Sequence, residues 1–523
     1  MRSGFVIDHR RCIGCHACTV ACKEENQVPL GAFRTWVKYI ERGEFPHVRR
    51  YFSVLRCNHC DDAPCVTICP TVALYRRPDG IVDFDGDRCI GCKSCMQACP
   101  YDALYIDPNT QTAAKCNYCA HRVEVGLEPA CVIVCPVQAI IAGDLDNPES
   151  RIARIVATEQ VQVRKAEQGT KPKVFYVGAD TANLTPSLQA PTQQYLWAQR
   201  PAEEVSLAKM LAASSGDGRA EPGLSRPVYD VPHMPRPWGW KVSTYLWTKS
   251  VAAGALLLAA FGPWGRPLDV GAPLISLIFL ALTTLLLIVD LKRPDRFHYI
   301  LFKPNWRSWL VWGGWILIAF GAVAGLWLLG VLAGRLDLLR VLILPAVLLA
   351  LAAAGYSAFL FGQAEGRDFW QSPLTLPHLI VAALVAGGAA LLVIAADWRI
   401  SLPETPGVIF KRAPFELVPA HTLGPLLVFS LIAHGLLVLI ELFSRHPNHD
   451  AAAAARLLTR GPFRGWLWGG VLLGGIVAPM IATLAAAAWS SAPLTVLGAL
   501  LALAGLWLWE DLWVRAGQAI PLS

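Results

Sequence analysis

Cys12-Ile-Gly-Cys-His-Ala-Cys-Thr-Val-Ala-Cys22 is the first of four cysteine quartets that decide the fold of this chain. The first and third quartets share the spacing C-x2-C-x2-C-x3-C, the second is C-x2-C-x4-C-x3-C and the fourth is C-x2-C-x11-C-x3-C. A proline follows the last cysteine of the second, third and fourth quartets. The quartets contain all 16 cysteines of the 523 residues: Cys12, Cys15, Cys18 and Cys22; Cys57, Cys60, Cys65 and Cys69; Cys89, Cys92, Cys95 and Cys99; and Cys116, Cys119, Cys131 and Cys135.

This spacing is typical of cysteines that ligate [4Fe–4S] clusters. A C-x2-C-x2-C turn places three thiolates around one cluster, and the cysteine three residues later ligates the other cluster of a pair. The 16 thiolates, at four per cluster, predict four [4Fe–4S] clusters. A disulfide scaffold is disfavoured because such closely spaced thiols are badly placed to bridge distant segments. Zinc ribbons usually contain isolated C-x2-C pairs, and free core cysteines would not repeat at fixed spacing.

The composition changes along the chain and predicts a soluble part followed by a membrane part. Charged residues are 16% of the chain and hydrophobic residues are 54%, and the apolar runs begin only near residue 242. An ordinary soluble protein has about 25% charged residues. The net charge of +7 suits a membrane protein with basic loops and gives no sign of nucleic-acid binding. We expect an α+β double-ferredoxin domain at 1–145, an extended linker at 146–241 and an all-α membrane domain at 242–523.

Eight apolar runs predict eight transmembrane helices, since about 20 apolar residues span the hydrocarbon layer. The membrane lipids would surround these helices. The predicted spans are 242–262, 272–290, 308–332, 338–361, 375–396, 418–442, 466–487 and 491–509. Within the linker, clusters of Pro, Gln, Ser and Gly favour an extended segment, with one short strand predicted at Lys173-Val-Phe-Tyr-Val.

Residues 4–145 resemble the four-cluster ferredoxin subunit of molybdopterin oxidoreductases. The resemblance rests on Cys12-Ile-Gly-Cys-His-Ala-Cys, Cys57-Asn-His-Cys, Cys89-Ile-Gly-Cys-Lys-Ser-Cys and Cys116-Asn-Tyr-Cys-Ala-His-Arg. It implies a large catalytic partner that contains molybdopterin. It also implies four ligand sets: Cys12, Cys15, Cys18 and Cys135; Cys116, Cys119, Cys131 and Cys22; Cys57, Cys60, Cys65 and Cys99; and Cys89, Cys92, Cys95 and Cys69.

The membrane half resembles the NrfD/PsrC membrane subunits, which handle quinones without haem. The resemblance rests on Trp240-Lys-Val-Ser-Thr-Tyr-Leu, Asp290-Leu-Lys-Arg-Pro, Tyr356-Ser-Ala-Phe-Leu and Arg515-Ala-Gly-Gln. It implies a fusion of two subunits that are usually separate. It also implies a quinone pocket, for ubiquinone or menaquinone as exchangeable substrate, among the first four spans.

Loop charges predict the orientation of the membrane half. The loops on the iron–sulfur side carry 11 Lys and Arg residues and the opposite loops carry six. Cytoplasmic loops are enriched in Lys and Arg. The first residues show neither an apolar export signal nor a twin-arginine signal. We therefore expect a multi-pass protein of the bacterial inner membrane with a cytoplasmic ferredoxin domain.

Ionisable residues inside the predicted spans are candidates for a quinone site, because buried charges in a membrane are costly. A quinone needs hydrogen-bond donors at its carbonyls and a proton route. The candidates within the spans are Tyr245, Lys249, Asp290, Tyr356, His378 and His434. The resemblance to the NrfD/PsrC subunits adds Arg293, just after the second span. Several alternatives stay open: Lys249 at the interface, Tyr356 as an interfacial aromatic, His434 as a packing residue, or a haem between His378 and His434.

The combined pattern predicts an electron-transfer subunit of a quinone-linked oxidoreductase, with substrate catalysis in the partner. A cytoplasm-facing member of this family most resembles the sulfite-oxidising, quinone-reducing three-subunit dehydrogenase. Formate dehydrogenase, hydrogenase, a reductase of the polysulfide or dimethyl sulfoxide type, and an ion-translocating quinone complex are the alternatives.

Overall fold

Four small β-sheets form the frame of the N-terminal domain. The computed structural model describes residues 1–43, 46–189, 225–231, 237–261, 266–396 and 422–523. The first sheet has the order β8-β1-β10-β9, the second β11-β2-β3, and two hairpins pair β4 with β5 and β6 with β7. The strands are β1 (Ser3–Asp8), β2 (Thr35–Arg42), β3 (Arg49–Arg56), β4 (Leu74–Arg76), β5 (Val82–Phe84), β6 (Leu104–Ile106), β7 (Ala113–Lys115), β8 (Ile140–Asp144), β9 (Val161–Gln162), β10 (Val174–Val177) and β11 (Arg226–Tyr229).

Short helices follow the cysteine loops, and the first and third quartets have the same local geometry. Gly14 and Gly91 are both left-handed, with φ of 71° and 68°. His16 and Lys93, two residues later, are left-handed caps with φ of 60° and 62°. The helices are α1 (Ala17–Glu25), α2 (Pro64–Ile68), α3 (Ser94–Ala98), α4 (Ala120–Val123), α5 (Ala130–Ile133), α6 (Arg151–Thr158) and α7 (Thr181–Leu184). The predicted ferredoxin repeat is therefore present in the backbone.

Residues 146–189, within the predicted linker, are folded against the N-terminal domain. Strand β10 pairs in parallel with β1, from Phe5 with Val174 to Asp8 with Val177. Strand β10 consists of Val, Phe, Tyr and Val, which are residue types that favour strands. It lies inside the first sheet, between β1 and β9. The predicted strand at 173–177 is confirmed. The remainder of the predicted linker, at 190–224 and 232–236, lies outside the described residues.

The C-terminal half is a helical bundle. Its helices are α8 (Trp240–Ala259), α9 (Arg266–Asp290), α10 (Tyr299–Phe302), α11 (Trp309–Leu332), α12 (Leu336–Gly362), α13 (Thr375–Ala395), α14 (Leu423–Phe443), α15 (His449–Thr459), α16 (Ala478–Trp489) and α17 (Ala492–Ala519). A π-helical segment, Trp466–Val477, runs directly into α16. Short 3₁₀ turns lie at Ala166–Gln168, Pro186–Leu188, Pro294–Arg296 and Asp368–Gln371.

Among the described residues, seven helices are long and apolar enough to cross a membrane. They are α9, α11, α12, α13, α14, the combined Trp466–Trp489 helix and α17. Helix α8 also has 20 residues, and its polar side chains explain why it is less apolar than the others. The chain is thus a multi-pass membrane protein, in agreement with the predicted architecture of about eight helices. The predicted spans match these helices closely, except that α17 continues ten residues beyond the predicted end at residue 509.

Helix α8 lies at the centre of the bundle because glycines let it approach its neighbour closely. A Cβ atom on Gly254 would lie 1.8 Å from the carbonyl oxygen of Ala383 on α13. A Cβ atom on Gly387 would meet the backbone of Gly254 at 2.2 Å. Small residues at helix contacts are typical of membrane bundles, where packing rather than the hydrophobic effect holds helices together. This contact positions the polar residues of α8 inside the bundle.

The N-terminal domain rests on one end of the bundle. The Asn305 backbone donates a hydrogen bond to Pro70 O (2.8 Å), and its side-chain amide donates to Cys69 O (2.7 Å). Lys38 forms an ion pair with Asp230 (3.2 Å) and donates to Ser523 O (3.0 Å). The last residues of α17 and the cysteine loops therefore lie at the same end of the helices, as an even number of crossings requires.

Candidate functional site

Four cavities in the N-terminal domain are each lined by four cysteines. Their empty volumes are about 270, 380, 310 and 320 Å³. In that order their cysteines are Cys22, Cys116, Cys119 and Cys131; Cys69, Cys89, Cys92 and Cys95; Cys57, Cys60, Cys65 and Cys99; and Cys12, Cys15, Cys18 and Cys135. Each cavity thus combines three thiols of one quartet with one thiol of another.

The cavities fit a multi-atom cluster better than a single metal ion. Among the described residues, no group of three or more His, Cys, Asp or Glu side chains is arranged to hold one ion. The thiols instead surround a shared space. Burial raises the pKa of the Cys18 and Cys60 thiols to about 12, so each thiol on its own stays protonated at neutral pH. Bound iron would favour the thiolate form, because a thiol that coordinates a metal is deprotonated.

Hydrogen-bond donors point at the cysteine sulfurs. Arg56 donates to Cys131 Sγ (3.1 Å), and its side chain is buried. Backbone N–H groups of Gly91 and Ala113 donate to Cys89 Sγ at 3.4 and 3.3 Å. Donors to the sulfurs are one of the factors that set the potential of an iron–sulfur cluster. Neither Arg56 nor these backbone donors was predicted from the sequence.

Cysteines of successive cavities lie close enough to interact electrostatically. Cys18 interacts with Cys131, and Cys57 interacts with Cys116. Cys65 and Cys95 make the same kind of connection. The four cavities therefore follow one another in a single file. The file begins at the Cys12 cavity and ends at the Cys69 cavity, which adjoins the helical bundle.

A tryptophan and two glutamines join the last cavity to the membrane helices. Trp238 Nε1 donates to Cys92 O (3.1 Å), and its backbone N–H donates to Gln518 Oε1 (3.0 Å). Gln97 Nε2, on α3 between Cys95 and Cys99, donates to the same Gln518 oxygen (2.6 Å). These residues were missed from the sequence because no spacing rule connects positions that are hundreds of residues apart.

Arg367 completes this contact from the loop before α13. Its Nε donates to Gln97 Oε1 (2.8 Å) and its Nη1 donates to Gln518 O (3.2 Å). Burial lowers the pKa of the Arg367 guanidinium to about 10, so the group stays charged at neutral pH. A buried, charged donor between a cysteine loop and the end of α17 fixes the two domains in one orientation.

Lys93 and Asp290 form an ion pair across the same interface. Lys93 Nζ lies 3.0 and 2.9 Å from the two carboxylate oxygens of Asp290, and the lysine side chain is buried. Lys93 follows Cys92 directly, so the pair connects the cysteine loop to the end of α9. Arg293, another candidate, instead binds Asp295 (2.9 Å) and Thr110 O (3.4 Å) at the surface of the interface.

Tyr245, Lys249 and Tyr356 come together inside the bundle. Lys249 Nζ donates to Ala354 O and to Ser357 Oγ, both at 2.8 Å, and lies 4.8 Å from the centre of the Tyr356 ring. Tyr245 shares Ser357 as a partner. Lys249 is 1% exposed, so it does not extend to the interface. We call Tyr245, Lys249, Tyr356 and Ser357 the α8–α12 polar group.

His378 and His434 lie elsewhere in the bundle. Their ring centroids are 5.0 Å apart, and the rings meet at 89°. Direct contact between the rings leaves no space for a porphyrin plane between them. The structure therefore splits the predicted candidates into three locations: the α8–α12 polar group, the domain interface with Asp290 and Arg293, and the histidine pair.

Family models match both halves of the chain. Residues 10–25 match a 4Fe–4S binding domain, and residues 48–145 match a 4Fe–4S dicluster domain. Residues 230–521, more than half of the chain, match the model described as polysulphide reductase, NrfD.

Curated relatives match the N-terminal half. A subunit of the tetrathionate reductase of Salmonella typhimurium is 50% identical over 200 residues, which are 38% of this chain and 80% of that protein. A component of the polysulfide reductase of Wolinella succinogenes is 42% identical over 177 residues, 33% of this chain and 93% of that protein. The thiosulfate reductase electron transfer subunit PhsB of Salmonella typhi is 48% identical over 157 residues, 29% of this chain and 81% of that protein.

Proposed function

Because the chain belongs to the NrfD family and joins its NrfD domain to a 4Fe–4S domain in one polypeptide, we propose that it carries electrons between a catalytic partner and membrane quinone. The observation that carries the proposal is the single file of four cysteine cavities that ends on the helical bundle. The chain itself supplies the electron path and the quinone site, and the partner supplies the substrate chemistry.

Each cavity holds one [4Fe–4S] cluster, and its four cysteines are the ligand set. When bound, the clusters accept and donate one electron at a time. The protein keeps water away from the buried thiols, donates hydrogen bonds to the sulfurs through Arg56 and the backbone, and holds the last cavity against α8 and α17 through Trp238 and Gln518.

The α8–α12 polar group is the quinone site. Tyr245 and Tyr356 provide phenol donors for the quinone carbonyls, and Lys249 provides an ammonium group beside them. These side chains are buried. Burial prevents bulk water from exchanging protons freely with the site. Asp290 acts at the edge of this site, because it is close enough to Tyr245 to interact electrostatically, and its ion pair with Lys93 connects it to a cysteine loop.

The partner is a molybdopterin enzyme that acts on a sulfur compound. The named relatives belong to reductases of tetrathionate, polysulfide and thiosulfate, and their shared substrate chemistry is an oxidised or chain-linked sulfur anion. The excess of basic residues on the iron–sulfur side favours a cytoplasmic position for that domain in a bacterial inner-membrane protein. A cytoplasmic partner favours sulfite oxidation with quinone reduction. A domain outside the membrane would favour tetrathionate or polysulfide reduction.

Purification from membranes with the partner attached tests this proposal. We expect a large partner with molybdenum or tungsten, about 16 iron atoms per copy of this chain, and quinone-dependent oxidation or reduction of a sulfur anion. A partner that contains nickel would indicate that the catalytic subunit is a hydrogenase and not an enzyme that acts on a sulfur compound. Labelling of single introduced cysteines in the 291–308 loop, from each side of the membrane, tests the orientation.

Absence of quinone exchange in the purified complex would contradict the proposal. An iron content that corresponds to two clusters would contradict the assignment of the four cavities. The two results are independent, because iron is measured without turnover.

A further inference from the structure

A second cluster of ionisable side chains is buried in the bundle beside the α8–α12 polar group. It contains His378 on α13, His434 and Glu441 on α14, and Glu510 on α17. Their exposed fractions are 6%, 2%, 4% and 4%. His378, Glu441 and Glu510 line a cavity with an empty volume of about 350 Å³. We call these four residues the α13–α17 polar group.

His378 contacts both Glu441 and His434, and Glu510 lines the same cavity as His378 and Glu441. His378 Nδ1 lies 3.4 Å from Glu441 Oε2, and Glu441 Oε1 accepts a hydrogen bond from Trp513 Nε1 (3.0 Å). The His378 ring stacks on Trp509, with centroids 5.2 Å apart and an angle of 12° between the planes. The His434 ring meets the edge of the same pair. The two histidines and Glu441 are thus held together by tryptophans, and the cavity connects them to Glu510.

Several polar atoms of this group have no hydrogen-bond partner among the described residues. They are both carboxylate oxygens of Glu510 and both ring nitrogens of His378 and of His434. An unpaired, buried polar atom is costly, and more so within the hydrocarbon layer. Ordinary packing does not explain why four such atoms, on Glu510 and His378, lie beside one cavity. A water molecule in this cavity would supply hydrogen bonds to Glu510 and His378 and would conduct protons between them.

The neighbouring Asp511 shows what a satisfied carboxylate looks like on the same helix. Its Oδ1 accepts from Ser243 Oγ (3.1 Å), and its Oδ2 accepts from Arg515 Nη1 (3.1 Å). Asp511 therefore has a structural role in fixing α17 to α8. Glu510, one residue earlier, points to the cavity instead. Of these two neighbouring carboxylates on α17, Glu510 is the one without a hydrogen-bond partner among the described residues.

The α13–α17 polar group extends from one end of the bundle to the α8–α12 polar group. Thr375 and His378 lie in the first turn of α13, directly after the loop on the iron–sulfur side, and Glu441 lies in the last turn of α14 at the same end. At the inner end, Glu510 and Lys249 are close enough to interact electrostatically. The titratable groups around Glu510 are Lys249 and Tyr245 from α8, which interact with it electrostatically, and His378 from α13 and Glu441 from α14, which line the same cavity. His434 from α14 lies against His378.

We propose that the α13–α17 polar group is the proton path between water on the iron–sulfur side and the quinone site, with Glu510 as the last carrier before Lys249. This inference rests on the proposed quinone site. Quinone reduction takes two electrons, delivered from the iron–sulfur domain, and two protons. Glu510 passes one proton at a time toward Lys249, is left as a carboxylate, and regains a proton from the cavity water through His378 and Glu441. Quinol oxidation reverses these transfers and releases both protons on the same side.

The test uses the full chain in lipid vesicles, reduced with sodium dithionite and mixed with ubiquinone-1 or menadione. The variants are Glu510→Gln, Glu510→Asp and, as the matched control, Asp511→Asn. We expect Glu510→Gln to slow quinone reduction about 100-fold and to raise the solvent isotope effect in D2O. Glu510→Asp restores most of the rate, and Asp511→Asn stays within about threefold of the wild type. The dithionite-reduced iron–sulfur spectra are the same in all four proteins.

A second measurement does not depend on turnover. Infrared difference spectra between the oxidised and reduced protein report protonated carboxyl groups through their C=O stretching band. We expect the wild type and Asp511→Asn to show a D2O-sensitive carboxyl band that Glu510→Gln lacks.

Wild-type rates and an unchanged carboxyl band in Glu510→Gln would overturn the proton path and leave the quinone site intact. A slow Glu510→Gln protein with an unchanged band, and without rescue by aspartate, would assign Glu510 a structural role and also overturn it. A wild type that reduces neither quinone would instead remove the proposed function on which the path rests.

Discussion

The iron–sulfur domain and the helical bundle differ in the hydrogen bonds that their functional groups receive. Around the cysteine cavities, Arg56 Nη1 and backbone N–H groups donate hydrogen bonds to the cysteine sulfurs. In the bundle, both carboxylate oxygens of Glu510 and both ring nitrogens of His434 have no hydrogen-bond partner among the described residues. An electron carrier works best in fixed surroundings that change little on reduction, whereas a proton carrier needs partners that it can exchange. The difference teaches that the two halves are built for two kinds of transfer.

Loss of one cysteine in the last cavity should interrupt electron transfer through the iron–sulfur domain. We expect this change to have the largest effect. In Cys95→Ser, we expect the cluster next to the bundle to be lost, because the buried residue lines that cavity and supplies one of its four thiols. Electron transfer from dithionite to quinone should then be abolished. Iron content and electron paramagnetic resonance measure the loss, and Thr67→Ser, outside all four cavities, is the control. Full quinone activity in Cys95→Ser would show that electrons leave the domain by another route.

Lys249→Met tests whether quinone reduction in the helical bundle requires a charged group at the proposed quinone site. We expect quinone reduction to fall at least 100-fold, about 2.7 kcal/mol of transition-state stabilisation. All clusters should remain reducible by dithionite. Lys241→Met, on the same helix and half-buried, removes a lysine whose Nζ donates to a backbone carbonyl, Val289 O (2.9 Å), and should keep the wild-type rate. Equal rates in both variants would exclude Lys249 from the site.

Gly254→Ala tests whether close helix packing positions the α8 residues. The added methyl group would meet the Ala383 carbonyl oxygen at 1.8 Å, so α8 and α13 must separate. We expect a loss of about 2 kcal/mol in the free energy of unfolding, typical of overpacking. Gly325→Ala is the matched control, since nothing lies within 4 Å of its added Cβ. Thermal unfolding in detergent compares the two, and equal melting temperatures would contradict the packing.

Lys93→Met tests the ion pair that joins the two halves and should have the smallest effect. The pair lies in the interface and is partly buried, so its loss should slow electron transfer from the clusters to quinone about tenfold, or about 1.4 kcal/mol. Lys171→Met breaks an exposed ion pair with Asp62 (2.8 Å) and should leave the rate unchanged. Stopped-flow oxidation of the reduced protein by quinone measures both, and equal rates would mean that Asp290 needs no partner in the cysteine loop.

Predictions from the sequence were most accurate where chemistry depends on local spacing or helix length. The fusion of a 4Fe–4S domain with an NrfD domain is confirmed, as is the order of a β-rich domain followed by a membrane bundle. The predicted spans agree with the helices of the structure because an apolar run of about 20 residues forms few structures other than a membrane-spanning helix. The four ligand sets stay a prediction, and the four cysteine cavities support it.

Tertiary contacts were harder to predict. Strand β10 was assigned to the linker, because its pairing with β1 joins residues that are far apart in the chain. Glu510 was overlooked because the predicted last span ended at residue 509. The continuing pattern Trp509-Glu-Asp-Leu-Trp513, with two tryptophans one turn apart, could have indicated that the helix goes on.

The sequence by itself determined that this protein has sixteen cysteines in iron–sulfur spacing and a polytopic membrane half, because both are written in short-range patterns. Only the tertiary structure decided which polar residues meet. It separated Lys249 and Tyr356 from His378 and His434, paired Lys93 with Asp290, and brought Glu510 to the cavity. The physical reason is that hydropathy locates a residue along a helix, whereas the rotation and neighbours of that helix depend on packing across the whole bundle.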